Sequence, residues 1–191
     1  MEYIKSQIRD SINIKSKILD SEVLLKTILS SAQLCISALK SGNKILLAGN
    51  GGSAADAQHL AGELVNRFYF NRPGLPAMAL TTDSSIITSI ANDYGFEMVF
   101  ARQLKAIGKK DDVFIAISTS GTSPNIINAL KTAKESGIIT IGFTGTNGTE
   151  MATLCDACII VPSVETPRIQ EAHILVGHII CSFIEKEMFG K

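Results

Sequence analysis

The apolar run Lys44-Ile45-Leu46-Leu47-Ala48 passes without a spacer into Gly49-Asn50-Gly51-Gly52-Ser53 and on into Ala54-Ala55-Asp56-Ala57-Gln58-His59-Leu60-Ala61-Gly62-Glu63. A strand that turns on glycines straight into a helix leaves the chain few options. Glycines at 49, 51 and 52 let the backbone take positive φ and approach a bound group closely, and Ser53 stands where a helix N-cap is expected. Free N–H groups and the positive end of the helix dipole then face the turn, which suits a phosphate. His59 and Glu63 are four residues apart and share one face of that helix. Ionisable side chains therefore adjoin an anion cradle.

Around this stretch the pattern alternates. Short apolar runs at 44–48, 77–81, 112–117, 138–143 and 157–161 read as strands. Helical segments lie between them at 53–66, 84–106 with a break around Asp93-Tyr94-Gly95, 123–136 and 148–154. Apolar strands separated by helices predict an α/β fold, a doubly wound, mainly parallel five-stranded sheet with helices on both faces. Ile4, Ile8, Ile12, Ile18 and Leu19 mark one helix before the sheet. A second starts at Asp20 or Ser21 and stops at Ser41-Gly42. These two N-terminal helices either cover the core or pack against another subunit. We expect one domain over 1–191, with a helical part at 1–42 and an α/β core at 43–191. Lys109-Lys110-Asp111-Asp112 reads as a solvated turn.

Lys+Arg and Asp+Glu both number 18, so no basic field draws the chain to nucleic acid or an anionic membrane. The N-terminus lacks the apolar core of a signal peptide, and no run approaches the roughly eighteen apolar residues of a membrane span. The expectation is a cytoplasmic protein with neither nucleic acid nor membrane as partner. Cys155-Asp156-Ala157-Cys158 spells C-x-x-C. With no second pair to complete a zinc site, packing is its first reading and redox chemistry the remote one.

A second candidate cradle follows Val113–Ile117. Ser118-Thr119-Ser120-Gly121-Thr122-Ser123 offers five hydroxyls in six residues, and Ser123-Pro124 has the N-cap and first-position signature of a new helix. The last helix is expected to start with Thr166 as N-cap and Pro167 first. At about 100° per residue, Gln170 and His178 can address one site, whereas His173 lies about 140° from His178. Glu171 falls near the His178 face or simply favours the first helical turn. His59, Glu63, Gln170 and His178 together offer two imidazoles, a carboxylate and an amide oxygen. That set suits zinc or a similar divalent ion, or acid/base work without metal.

Gly49-Asn50-Gly51-Gly52-Ser53, His59-Leu60-Ala61-Gly62-Glu63, Asn71-Arg72-Pro73-Gly74, Asn92-Asp93-Tyr94-Gly95-Phe96, Ser118-Thr119-Ser120-Gly121 and Arg168-Ile169-Gln170-Glu171, in this order, resemble the phosphoheptose isomerase family of sugar isomerase (SIS) proteins. The resemblance covers nearly the whole chain. It implies conversion of sedoheptulose 7-phosphate to D-glycero-D-manno-heptose 7-phosphate, at the entry to nucleotide-activated heptoses of lipopolysaccharide core or capsule. It also implies a homotetramer with sites assembled at subunit interfaces. By matched position, His59, Glu63, Gln170 and His178 resemble zinc-site residues. Asn50, Gly51, Gly52, Ser53, Asn92, Asp93, Ser118, Thr119, Ser120 and Ser123 resemble substrate contacts, with Glu63 and Gln170 touching both. Pro167 departs from the acidic residue that often precedes Arg-Ile-Gln in the family.

Ketose–aldose isomerisation needs a base at C1, an electrophile for the enediolate and a proton returned to C2. The resemblance assigns Glu63 as base and His178 as acid, with zinc as Lewis acid and neither nucleotide nor redox cofactor. The alternative is a non-catalytic SIS adaptor of the bacterial replication initiator. Such relatives lack the acidic and His residues that this chain carries as Glu63 and His178.

Overall fold

A computed structural model describes residues 1–190. Helices α1 (Glu2–Leu19) and α2 (Glu22–Lys40) come first. Ser21 begins α2 by accepting a hydrogen bond from the Leu24 N–H at 3.3 Å. Then follow β1 (Ile45–Gly49), α3 (Gly52–Val65), β2 (Ala77–Ala79), α4 (Ser84–Tyr94), a 3-10 turn at Phe96–Met98, α5 (Val99–Ile107), β3 (Val113–Ile117), α6 (Pro124–Glu135), β4 (Ile139–Gly145), α7 (Thr149–Leu154), β5 (Ala157–Val161) and α8 (Thr166–Phe189). The break expected near Tyr94 falls at Gly95, whose φ of 89° no ordinary helix residue adopts.

All five strands pair in parallel in the order β2-β1-β3-β4-β5. The chain winds outward from β1 to β2 in one direction and through β3, β4 and β5 in the other. The reversal opens a crevice between the carboxyl ends of β1 and β3, where open α/β sheets bind ligands. Gly49 stands opposite Ile117, so both strands end at the same level and their following loops face each other.

Alternate residues of the buried strands feed two cores, as a doubly wound sheet requires. Ile45, Leu47, Ile115, Ile117, Ile141 and Phe143 pack with α1, α2, α3 and α8. Leu46, Ala48, Phe114 and Ala116 pack with α5, α6 and Met151 of α7. Helix α2 is, contrary to expectation, long and apolar enough by composition to cross a membrane, but Leu24, Ile28, Ala32, Cys35 and Leu39 bury its stripe in the first core. On α1, only Ile14 and Ile18 are buried, while Ile4, Ile8 and Ile12 stay more than half exposed at 55%, 56% and 57%.

Two local expectations are corrected. Asp112 belongs to no solvated turn: it is buried and accepts from Lys44 Nζ at 2.6 Å and from the Lys44 and Lys109 N–H groups at 3.0 and 2.7 Å. That junction fixes the start of β1 beside the start of β3. Helix α8 begins one residue early, with Glu165 as N-cap and Thr166 already helical. Pro167 tolerates the shift because first-turn N–H groups have no partner within the helix.

Candidate active site

The cradle forms where the sheet order reverses. Gly51, at φ 54°, is the N-cap of α3, two residues before the expected cap, so Ser53 lies inside the first turn, buried. The Ser53 N–H closes the turn onto the Asn50 carbonyl at 3.0 Å. Across the crevice, Ser123 caps α6 by position without a side-chain cap bond; its hydroxyl meets Ser118 Oγ at 3.1 Å instead. Ser118 Oγ also accepts from the Gly121 N–H at 3.1 Å, and Ser120 Oγ accepts from Thr122 N–H at 3.3 Å. Gly121 has φ 66° and lies against the Gly148 backbone, so a Cβ there would strike main chain.

Between these loops is a cavity of about 290 Å³ lined by Asn50, Gly51, Gly52, Ser53, Ser118, Thr119, Ser123, Thr166 and Gln170. Among the described residues, none that lines it carries a side-chain cation. Hydroxyls, amides and helix-start N–H groups are the donors, a composition that holds phosphate through dipoles and hydrogen bonds. Asn50 is held in place by a partner that sequence reasoning missed: buried Asn125 donates to its Oδ1 at 2.8 Å and accepts from its Nδ2 at 2.9 Å. The only sequence signal was an amide directly after Ser123-Pro124.

Next to the cradle, α3 and α8 bring three ionisable side chains together. Nε2 of His59 lies 2.9 Å from Nε2 of His178 and 3.2 Å from Glu63 Oε1. Possible ligand atoms of all three residues lie within 4.8 Å of one another. Two imidazoles and a carboxylate at this spacing form a donor set that fits a zinc-like divalent ion. Gln170 stands with the cradle, its amide against Gly52, where a Cβ would come within 2.5 Å of Nε2. His173 turns the other way, buried against Phe143 with ring centroids 5.7 Å apart, so the two helical histidines separate as their angular spacing predicts. Glu171 pairs with Arg168 Nη2 at 2.6 Å and serves the start of α8. Asn92 and Asp93 lie exposed at the end of α4, hydrogen-bonded to each other at 2.8 Å and outside the cradle's lining.

The cluster rests on a buried ion pair. Arg72 Nε meets Glu185 Oε1 at 3.0 Å with both side chains essentially inaccessible. Arg72 also donates to the Glu63 and Leu64 carbonyls at 2.8 and 2.7 Å, gripping the last turn of α3. Glu185 accepts from the Phe68 and Tyr69 N–H groups at 2.8 and 2.6 Å. Burial by itself would raise the Glu185 pKa; the two N–H groups and Arg72 outweigh it and hold the carboxyl below its ordinary value. Phe68, carried by this loop, lies tilted against the His178 ring at a centroid distance of 5.5 Å. One turn before His59, burial raises the Asp56 carboxyl above its usual range, with His59 pulling it back.

Comparison with known proteins agrees with this geometry. Residues 8–145 match the model of the SIS domain family. The phosphoheptose isomerase of Aneurinibacillus thermoaerophilus is 62% identical over 98% of this chain and 95% of its own, and phosphoheptose isomerase 2 of Campylobacter jejuni is 60% identical over 99% and 94%. The structure of a phosphoheptose isomerase from Francisella tularensis superposes with a TM-score of 0.92 at 37% identity, covering 97% of both chains.

Proposed function

This chain belongs to the SIS domain family, among the phosphoheptose isomerases, and from that premise we propose that it converts sedoheptulose 7-phosphate to D-glycero-D-manno-heptose 7-phosphate. The observation that carries the reading is the convergence of His59, Glu63 and His178 beside a cation-free phosphate cradle at the carboxyl ends of β1 and β3.

The substrate phosphate sits between Gly51-Gly52-Ser53 and Ser118–Ser123, which leaves the C1–C2 end of the sugar to the side-chain cluster. Asn50, oriented by Asn125, and Gln170, against Gly52, hydrogen-bond the sugar hydroxyls. Glu63 takes the C1 proton and returns it to C2 on the same face. His178 moves a proton between O1 and O2 through Nδ1, since its Nε2 faces His59. His59, Glu63 and His178 would hold a zinc ion, with Gln170, which the family resemblance adds to this set, turning from the cradle as fourth ligand. Bound there, zinc supplies Lewis acidity that stabilises charge on the ketose oxygen.

We also propose that the active form is a homotetramer in the cytoplasm. The exposed Ile4, Ile8 and Ile12 face of α1 supports assembly. Asn92 and Asp93, exposed and outside the lining of their own chain's cradle, would then serve a neighbouring copy. The meeting of Glu63 with His59 favours the isomerase over the adaptor reading.

A proton NMR time course with sedoheptulose 7-phosphate tests this directly. An aldoheptose anomeric signal that grows with time is expected, faster with added zinc. A folded protein that gives no such signal with or without zinc would overturn the assignment.

A further inference from the structure

Cys155 and Cys158 lie outside the site, and the proposed isomerisation makes no use of them. Cys155 caps the end of α7 and Cys158 lies in β5, one of the two edge strands of the sheet. Between them Asp156 bends the chain. Its N–H donates to the Thr140 carbonyl at 2.9 Å, and its Oδ2 accepts from the Thr140 N–H and hydroxyl at 2.7 and 2.9 Å. Anchored this way, the C-x-x-C segment turns both sulfurs onto one point of β4. A Cβ built on Gly142 would come within 2.7 Å of Cys155 Sγ and 2.9 Å of Cys158 Sγ. Gly142 pairs with Cys158 across the strands. The absence of a side chain at that position lets two thiols share the space one methyl group would fill.

Burial does not seal the pair. Both residues are only partly buried, unlike Cys35 and Cys181, which are enclosed in the core. Hydrogen bonding between the two thiols is the main cause of a split in their acidity, lowering Cys158 and raising Cys155. An acidic nucleophilic thiol beside a protonated resolving thiol is the arrangement that thiol–disulfide exchange uses.

We infer that Cys155 and Cys158 form a reversible dithiol/disulfide site that exchanges with low-molecular-weight disulfides. The Cys158 thiolate attacks one sulfur of RSSR, forming a Cys158–SR mixed disulfide and releasing RS⁻. Cys155 then loses its proton and attacks Cys158 Sγ, closing the Cys155–Cys158 bond and releasing the second RS⁻. Both leaving thiolates take up the protons the cysteines gave to water. Two protein thiols are oxidised by two electrons, and one small disulfide is reduced to two thiols. Cys35 and Cys181 take no part, since burial pushes the Cys181 thiol up to about 12 and raises Cys35 as well.

The test is to equilibrate the whole protein with oxidised and reduced glutathione at graded ratios, block free thiols with an alkylating agent and map the peptides by mass spectrometry. Circular dichroism confirms that the fold is unchanged. The expected result is a peptide spanning Cys155 and Cys158 that has lost two hydrogens, is restored by excess reduced glutathione, and accompanies fully alkylated Cys35 and Cys181. Cys155→Ser should carry one glutathione on Cys158, whereas Cys158→Ser should leave Cys155 free. Cys155 and Cys158 that stay reduced at the most oxidising ratio, or that each carry a separate glutathione, would overturn the proposal.

Discussion

His59 and His178 are 119 residues apart in sequence, and their Nε2 atoms face each other at 2.9 Å. The neighbours that permit this are Leu60 and Gly177. A Cβ on Gly177 would come within 2.6 Å of Leu60 Cδ2, so the missing side chain is what lets α8 lie close on α3. Leu60 is itself buried and has little room to retreat. Gly177→Ala should therefore cost about 1–3 kcal/mol in overpacking and also part the two imidazoles. We expect zinc affinity, measured by competition with a chromophoric chelator, to fall more than about tenfold, approaching the loss caused by His59→Ala. Wild-type zinc affinity in both variants would remove this pair from the metal site.

Glu63 has an oxygen 3.2 Å from His59 and a backbone held by Arg72, so its position is over-determined. With zinc kept at saturation, since Glu63 is also a proposed ligand, Glu63→Gln keeps the shape and removes the base. The expected loss in kcat is on the order of 10²–10⁴, with substrate KM nearly unchanged and a wild-type melting temperature. Turnover like that of the wild type would exclude Glu63 as the proton carrier.

The Asn125 side chain meets the site at Asn50, by two part-buried hydrogen bonds. Asn125→Ala leaves the Asn50 amide unpartnered and free to rotate, at a stability cost of about 1–3 kcal/mol. Because Asn50 lines the phosphate cavity, KM for the sugar phosphate should rise about tenfold while kcat changes less. Steady-state kinetics showing a fall in kcat alone would place Asn125 in the chemical step instead.

The sequence exposes what is local. The strand, glycine turn and helix over Lys44–Glu63 are written in consecutive residues, as are the hydroxyl loop before Pro124 and the angular relation of Gln170, His173 and His178. Contacts between distant segments left no such mark. Asp112 looks like part of a charged turn until Lys44, 68 residues earlier, comes beside it. Arg72 reads as one residue of a connecting loop until Glu185, 113 residues later, buries it. The early starts of α3 and α8 were hidden for another reason. Positive φ at Gly51 and tolerance of Pro167 inside the first turn override the usual cap preference of Ser and Thr.

The Arg72–Glu185 pair ties the last turn of α3 and the loop after it to α8. Glu185→Gln would leave the Arg72 charge buried without its counter-ion, a loss of about 3–5 kcal/mol. The sign in acid follows from the lowered folded-state pKa. The stabilisation is complete above the unfolded carboxyl's value and is lost as pH falls through the folded one. Urea unfolding at neutral pH should show the full deficit. Equal midpoints for variant and wild type there would contradict the role of the pair.

His173 supplies an acid sensitivity of its own. It is buried at 1% exposure, and neither ring nitrogen has a side-chain hydrogen-bond partner among the described residues. Burial disfavours the imidazolium and lowers the pKa from 6.5 to about 4, with the Thr144 backbone opposing weakly. The unfolded chain therefore takes up a proton near pH 6.5 that the folded chain refuses until about pH 4. The stability tied to the neutral ring is intact above the unfolded value and drains as pH falls, by about 3 kcal/mol once pH reaches the folded value. His173→Leu keeps the apolar contact with Phe143 and has nothing to titrate. Between pH 7 and pH 4.5, urea unfolding should show wild type losing more stability than His173→Leu, at a slope difference that rises toward about 1.4 kcal/mol per pH unit near pH 5.5. Parallel pH profiles for the two proteins would mean that the folded chain takes up the His173 proton as readily as the unfolded one, contrary to the burial effect.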